Sequence, residues 1–209
     1  MEIVLSLFDK TGNMVRPWVD AGYICWCVDI QHEGIVECGG ITFIGADISD
    51  WELPNGVTPV MVFAFPPCTD LAASGARWWK DKGLRSLSKG IGLVAKAHEI
   101  AVSSGAPWMI ENPVGALSSH WRKPDAQFDP CDFAGYLPDP MQDAYTKRTC
   151  LWTGGGFNMP LPKPVFPYQG SKMHLIPPSD DRADMRSETP MGFAEAVYQA
   201  NSRKAVATW

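Results

Sequence analysis

The feature that most constrains the fold is the order of apolar runs in the first 29 residues. Ile3-Val4-Leu5-Ser6-Leu7-Phe8 reads as a buried strand and Lys10-Thr11-Gly12-Asn13 as a turn. A helix follows from about Met14 to Ala21, ended by Gly22, and then a second strand from Tyr23 to Val28, closing on Asp29. Strand, helix and strand in so short a span form a βαβ unit, which requires parallel pairing and a right-handed crossover. The pattern continues with a strand from Gly40 to Gly45 closing on Asp47, and another from Val60 to Phe65. A long helix spans about Gly83 to Ser103, with Leu84, Leu87, Ile91, Val94, Ala95 and Ile100 near helical spacing. The next strand runs from Pro107 to Ile110.

The second half is less periodic. Val114 to Tyr145 and residues 154–182 are rich in Pro and Gly and read as long loops, which in a compact domain are usually functional. Tyr145 to Trp152 alternates polar and apolar positions as a strand does, and Thr189-Pro190 opens a helix from Met191 to about Lys204 with Phe193, Ala196, Val197 and Ala200 on one face. A chain of 209 residues fits one domain, and 45% hydrophobic with 20% charged residues is a globular composition. The start carries no basic leader and no apolar stretch approaches the roughly 18 residues that span a bilayer, so a cytoplasmic protein without membrane contact is expected. The six cysteines form no Cys-x-x-Cys pair, which argues against zinc, any other metal site and a disulfide framework. A net charge of −5 weighs mildly against a nucleic-acid partner, although a local basic cluster can still neutralise phosphates.

Several residues carry chemistry. Pro66-Pro67 stiffens the chain where it leaves the fourth strand, so Cys68 is held at a strand tip, where a thiolate can act as a nucleophile if Arg77, Lys80, Lys82, Arg85 or a helix N-terminus stabilises it. The alternative is a small core cysteine. Glu111 ends the neighbouring strand, where an unpaired carboxyl tends to stay protonated and can donate to a ring nitrogen, with Asn112 as a brace; a structural ion pair or helix cap is the other reading. Gly12 in the first turn lets a backbone approach a nucleotide-like cofactor, and Asp29 is placed to hold ribose hydroxyls, but a plain strand-to-helix turn explains Gly12 equally well. Asp47 can accept from an adenine amino group or be a solvated loop carboxylate. Lys147-Arg148 reads first as a solvated edge, and tryptophans 78, 79, 108, 121 and 152 as core or interface.

Taken in order, Ser6-Leu7-Phe8, Gly12, Asp29, Asp47, Pro66-Pro67-Cys68, Glu111-Asn112 and Lys147-Arg148 resemble the cytosine-C5 DNA methyltransferase family, in particular its short phage-type members. The resemblance implies a Rossmann-like S-adenosylmethionine-dependent methyltransferase fold with helices on both faces of a mostly parallel sheet. It implies S-adenosylmethionine as cofactor and double-stranded DNA as partner, in the cytoplasm of a bacterial host. It assigns Cys68 as nucleophile, Glu111 as the partner of cytosine N3 and Arg148 as an anchor. Phe8, Gly12, Asp29, Ile30, Asp47, Ile48 and Pro66 would line the cofactor. Lys10 stands where the family has a first glycine, Glu-Asn-Pro where it has Glu-Asn-Val, and Lys-Arg-Thr where it has Gln-x-Arg-x-Arg. Only residues 114–188 remain as a reduced target-recognition region within a single 1–209 domain, with 189–205 as a terminal helix. This implies a very short target sequence, or a protein partner or oligomer that completes recognition. The rival readings are pyrimidine-C5 modification of a free nucleotide, where the family's cysteine is followed by His rather than Thr69, methylation of RNA, and a non-catalytic module that binds S-adenosylmethionine or DNA.

Overall fold

A computed structural model describes residues 2–171 and 186–203. The chain divides into two compact units. One comprises the N-terminus through Gly12, Gly22–Gln127 and Thr149–Phe157; the other comprises Asn13–Ala21, Phe128–Arg148 and the residues from Asn158 on. The first unit matches the α/β expectation.

An eight-stranded sheet is built from β1 (Ile3–Leu7), β2 (Ile24–Asp29), β3 (Ile35–Cys38), β4 (Ile41–Gly45), β5 (Pro59–Ala64), β6 (Trp108–Pro113), β7 (Ala126–Phe128) and β8 (Thr149–Gly154). Their order is β3-β4-β2-β1-β5-β6-β8-β7. From β4 to β6 all neighbours are parallel, whereas β3 and β8 run antiparallel to theirs. The chain steps outward from β1 through β2 to β4, then returns to lay β5 on the other side of β1. That reversal makes the fold Rossmann-like and puts its switch point between β1 and β5. Val4, Leu5, Leu7, Val28, Val62, Phe63 and Ala64 are all fully buried, which is why the parallel strands read as continuous apolar runs.

Helix α2 (Trp79–Ser103) packs on this sheet and is broken at Gly83, whose φ of 73° and ψ of 177° lie outside the helical region. Beyond the break the buried face is Gly90, Val94, Ala97, Ile100 and Ala101, spaced near 3.6 residues. Two expected face residues lie elsewhere: Leu84, next to the break, is 85% exposed and Ala95 faces solvent. The sequence reading also missed β3. All four of its residues are exposed, so burial leaves no pattern; Gly39-Gly40, both with positive φ, turn the chain back into β4.

Two boundaries at β8 differ from expectation. Its ladder with β6 pairs Glu111 with Leu151, Asn112 with Cys150 and Pro113 with Thr149, so β6 continues past Ile110 and Glu111 lies inside a strand. The strand expected from Tyr145 starts only at Thr149, which leaves Lys147-Arg148 outside it. The stretch read as loop from Val114 to Tyr145 contains α3 (Leu117–His120), β7 and three 3-10 turns at Pro130–Asp132, Ala134–Tyr136 and Pro140–Asp143. Such short elements carry too few residues to show a period.

The second unit has its own aromatic core. Phe128 stacks on Phe193 at 4.2 Å, and Phe133 meets both rings. Helix α1 (Arg16–Asp20) follows a 3-10 turn at Asn13–Val15 rather than forming one helix from Met14. Helix α4 (Met191–Asn201) buries Gly192, Phe193, Ala194, Ala196 and Val197 and stops short of Lys204. The capping expected of Thr189 falls to buried Asp143, whose Oδ2 accepts from Gly192 N at 2.7 Å. Residues 172–185 and 204–205, within the expected recognition region and terminal helix, lie outside the described residues, as do the side chains of Trp78 and Trp79.

Candidate active site

Matched registers bring the candidate residues of the first unit to one edge of the sheet. Leu7 pairs with Val28 and with Ala64, Asp29 with Gly45, and Ala64 with Ile110. Phe8, Asp29, Ala46-Asp47 and Phe65-Pro66 therefore emerge at the carboxyl ends of parallel strands, where Rossmann-like sheets bind ligands, and Glu111 lies within β6 one residue past its last parallel pair. Phe65 N donates to Leu7 O at 3.0 Å, so the chain enters Pro66-Pro67 directly at the switch point.

One residue past β5 in this register, Phe65 faces Glu111, and the next step faces Pro66 to Asn112. The contact is realised: Asn112, 1% exposed, donates from Nδ2 to the Pro66 carbonyl at 2.9 Å. Asn112 thus braces the Pro-Pro-Cys turn as well as following Glu111. Pro66 is buried, Pro67 is exposed, and Cys68 is exposed and outside any disulfide, which removes the core-cysteine reading. Glu111 is partly buried.

Beyond Cys68 the chain is pinned. Leu71 N and Ala72 N donate to Cys68 O at 3.0 and 2.8 Å, Leu71 is fully buried, and Ala73 N and Ala116 N close a short ladder with Val114 O and Leu71 O at 2.8 Å each. A Cβ on Gly115 would lie 1.9 Å from Leu71 O, so only glycine permits this approach. Lys82 then reaches back to Thr69 O at 3.0 Å and to Asp70 Oδ1 at 2.8 Å. Gly115 and Leu71 were not singled out from sequence, because they meet each other and Ala116 across 44 to 45 positions and no local motif marks them; Lys82 was expected to stabilise the thiolate, and it binds Thr69 and Asp70 instead.

The first turn is organised around a buried aspartate. Asp9, 4% exposed, accepts from Ser6 Oγ at 2.7 Å, Thr11 N at 3.1 Å and Gly12 N at 2.7 Å. Its carboxylate occupies the cradle of amide groups that, in dinucleotide-binding turns, holds a pyrophosphate. The Asp-Lys-Thr-Gly turn signature could have revealed it. Just before it, Phe8 is the non-glycine residue with positive φ, at 57°, among the described residues, a strain of the kind that collects at functional sites. Gly12 has φ of 72°, a conformation that favours glycine, and its Cβ would also crowd Ile41 Cδ1 at 2.6 Å.

The remaining candidates separate. Asp29 is buried at the tip of β2 and accepts from Gln31 N at 2.8 Å, while Ile30 is 68% exposed. Asp47 is exposed, and the hydroxyl and amide of Ser49 hold its carboxyl below the ordinary range. Ile48, 2% exposed, packs in the core cluster with Leu71 and Val94, so burial withdraws it from the cofactor surface expected of it. Arg148 belongs to the second unit, where it pairs with Asp129 at 3.3 Å. Trp152 and Trp108 are core residues and Trp121 is partly exposed.

No family model and no curated protein matches the chain. Among solved structures, the glycopeptide N-methyltransferase MtfA aligns with a TM-score of 0.33 at 14% identity over 61% of this chain and 52% of its own. The CcbJ methyltransferase from Streptomyces caelestis aligns with a TM-score of 0.33 at 14% identity over 60% of this chain and 48% of its own. MtfA complexed with (S)-adenosyl-L-methionine aligns with a TM-score of 0.31 at 14% identity over 61% and 49%. The chain thus spans about half the length of each of these structures.

Proposed function

We propose that this chain methylates cytosine at C5 in DNA, with S-adenosylmethionine as methyl donor. The observation that carries the reading is the Asn112 to Pro66 bond, which ties an exposed thiol on a stiff turn to the strand that bears Glu111, at the carboxyl edge of a Rossmann-like sheet. The first turn fits the donor. With its amide cradle filled by Asp9, the turn has no place for a pyrophosphate, which disfavours dinucleotides and suits a cofactor without phosphate.

The chemistry explains the residue types. Cytosine C5 is too electron-poor to attack a methyl group unaided. Cys68 thiolate adds to C6 while Glu111 donates a hydrogen bond or proton at N3 and draws charge off the ring, so that C5 gains enamine character. S-adenosylmethionine supplies the electrophilic methyl group on its sulfonium. Loss of the C5 proton to a base then lets the Cys68 thiolate leave by elimination. A base stacked in a duplex is out of reach of both side chains, so the target nucleotide must be flipped out.

The test is methyl transfer from labelled cofactor to duplex DNA, RNA and dCMP. Wild type should label duplex DNA and Cys68→Ser should not, while both bind the cofactor. A duplex containing 5-fluorocytosine should trap a covalent complex through Cys68. Label on dCMP alone or RNA alone moves the substrate to the rival class, and no label on any of them leaves a binding module.

A further inference from the structure

In the second unit, residues 158–171 form a strap that is fixed by its backbone and open on its side chains. Its main chain is stitched down at intervals: Asn158 to Asn201, Leu161 O to Tyr136 Oη at 2.8 Å, Lys163 O to Gly135 N at 3.0 Å, Val165 N to Cys131 O at 2.9 Å, Gln169 N to Ala144 O at 3.0 Å and Gly170 O to Thr146 N at 2.8 Å. Prolines 160, 162, 164 and 167 fix φ between these anchors. A Cβ on Gly135 would lie 2.6 Å from Lys163 O, so glycine is needed for the strap to dock.

Against this rigid backing three large apolar side chains point outward: Leu161 at 80% exposure, Phe166 at 69% and Tyr168 at 68%. The two rings meet edge to face with centroids 5.0 Å apart. A rigidly mounted aromatic pair in solvent is a binding surface rather than a packing remnant. The charge around it selects the partner. From Ala144 to Ser171 the sequence contains no Asp or Glu but carries Lys147, Arg148 and Lys163, in a chain whose net charge is −5. The bond from Thr146 to Gly170 sets Lys147 beside the end of the strap. The carboxylates between residues 129 and 143 are engaged: Asp129 pairs with Arg148, Asp132 accepts from Asp129 N, Asp139 from Met141 N and Asp143 from the start of α4.

We infer that the strap is a nucleic-acid contact in which Phe166 and Tyr168 stack on or wedge against bases of the substrate, with Lys147 and Lys163 near its phosphates. The inference rests on the nucleic-acid substrate proposed above and gives it a recognition element. Aromatic faces accept any base, so affinity is the primary readout.

The test measures affinity for a fluorescein-labelled duplex by anisotropy, for wild type and for Phe166→Ala/Tyr168→Ala. The double variant should bind about 10- to 100-fold more weakly, while titration calorimetry with S-adenosylmethionine remains as for wild type and confirms the fold. Should the double variant lose cofactor binding as well, Phe166→Ala and Tyr168→Ala are measured singly against the same criterion. Unchanged duplex affinity in a wild type that does bind and methylate DNA overturns the strap assignment and leaves the proposed activity standing. A wild type with no affinity for duplex or single-stranded DNA overturns both. If sedimentation shows a wild-type dimer that the variant turns to monomer with equal DNA affinity, a second copy of the chain covers the strap and the assignment fails.

Discussion

Asn112 has one amide orientation that serves its neighbour. Pro66 offers a carbonyl, so the NH2 group must face it, and the other end, Oδ1, is buried without a hydrogen-bond partner among the described residues. A buried orphan acceptor is costly, and here it is the other end of the amide that holds the Pro-Pro-Cys turn. Asn112→Asp sets an acceptor against the Pro66 carbonyl, and Asn112→Ala leaves that carbonyl unpaired. Each variant should lose about 1–3 kcal/mol in denaturant unfolding and, because the thiol is misplaced, about 100-fold in methyl-transfer kcat. Cofactor affinity should fall less than kcat, since among the residues proposed to line the cofactor Asn112 bonds Pro66, while Phe8 and Asp29 follow or end other strands. Unfolding curves, single-turnover transfer and cofactor titration separate these effects; wild-type kcat in Asn112→Ala would remove Asn112 as a positioning residue.

At the scale of elements, α2 is where an acidic chain gathers positive charge. Arg77, Lys80, Lys82, Arg85 and Lys89 lie within the segment that follows the Cys68 turn, against a single carboxylate at Asp81. Lys82 is committed to Asp70 and Thr69, a half-exposed pair that contributes little to stability but fixes the turn. Arg85 and Lys89 are exposed one helical turn apart beyond the Gly83 break. If they meet backbone phosphates, each alanine substitution should weaken DNA binding equally across sequences. Each should also reduce the slope of log K against log salt by about 1. Anisotropy titrations across a salt series check this, and an unchanged slope in Arg85→Ala/Lys89→Ala would place the phosphates elsewhere. The parallel strands around this helix were legible because strands buried on both faces leave long apolar runs, and the thiol was legible because it follows directly from one of them; Glu111 was read as a strand end, but its ladder with β8 puts it inside β6. Other features were not. β3 has no buried face, the 3-10 turns between Pro130 and Asp143 are too short for a period, and the Asp9 cradle is a side chain substituting for a glycine-rich backbone.

At the scale of the whole molecule, stability should respond to acid in two separate steps. His98 on α2 lies edge-on to Trp108 and Trp121 at 5.1 and 5.0 Å, with the Arg122 guanidinium over Trp121. Burial first, and the Arg122 charge second, hold its imidazolium below the ordinary 6.5. The unfolded chain therefore takes up this proton before the folded one does. Stability is undiminished above about pH 6.5 and falls as pH drops below it, until His98 is protonated in the folded state as well. Asp125 acts lower on the scale. Burial pushes its carboxyl up, but hydrogen bonds from Arg122 and Thr153 outweigh that and leave it below the ordinary 3.8, so its contribution is present above that value and fades beneath it. Melting temperatures taken from pH 8 down to pH 5 should thus decline only on the His98 step, and His98→Phe, which keeps an aromatic ring between the tryptophans, should flatten the decline. A slope unchanged in His98→Phe would mean that another group, outside this aromatic cluster, binds the proton on unfolding.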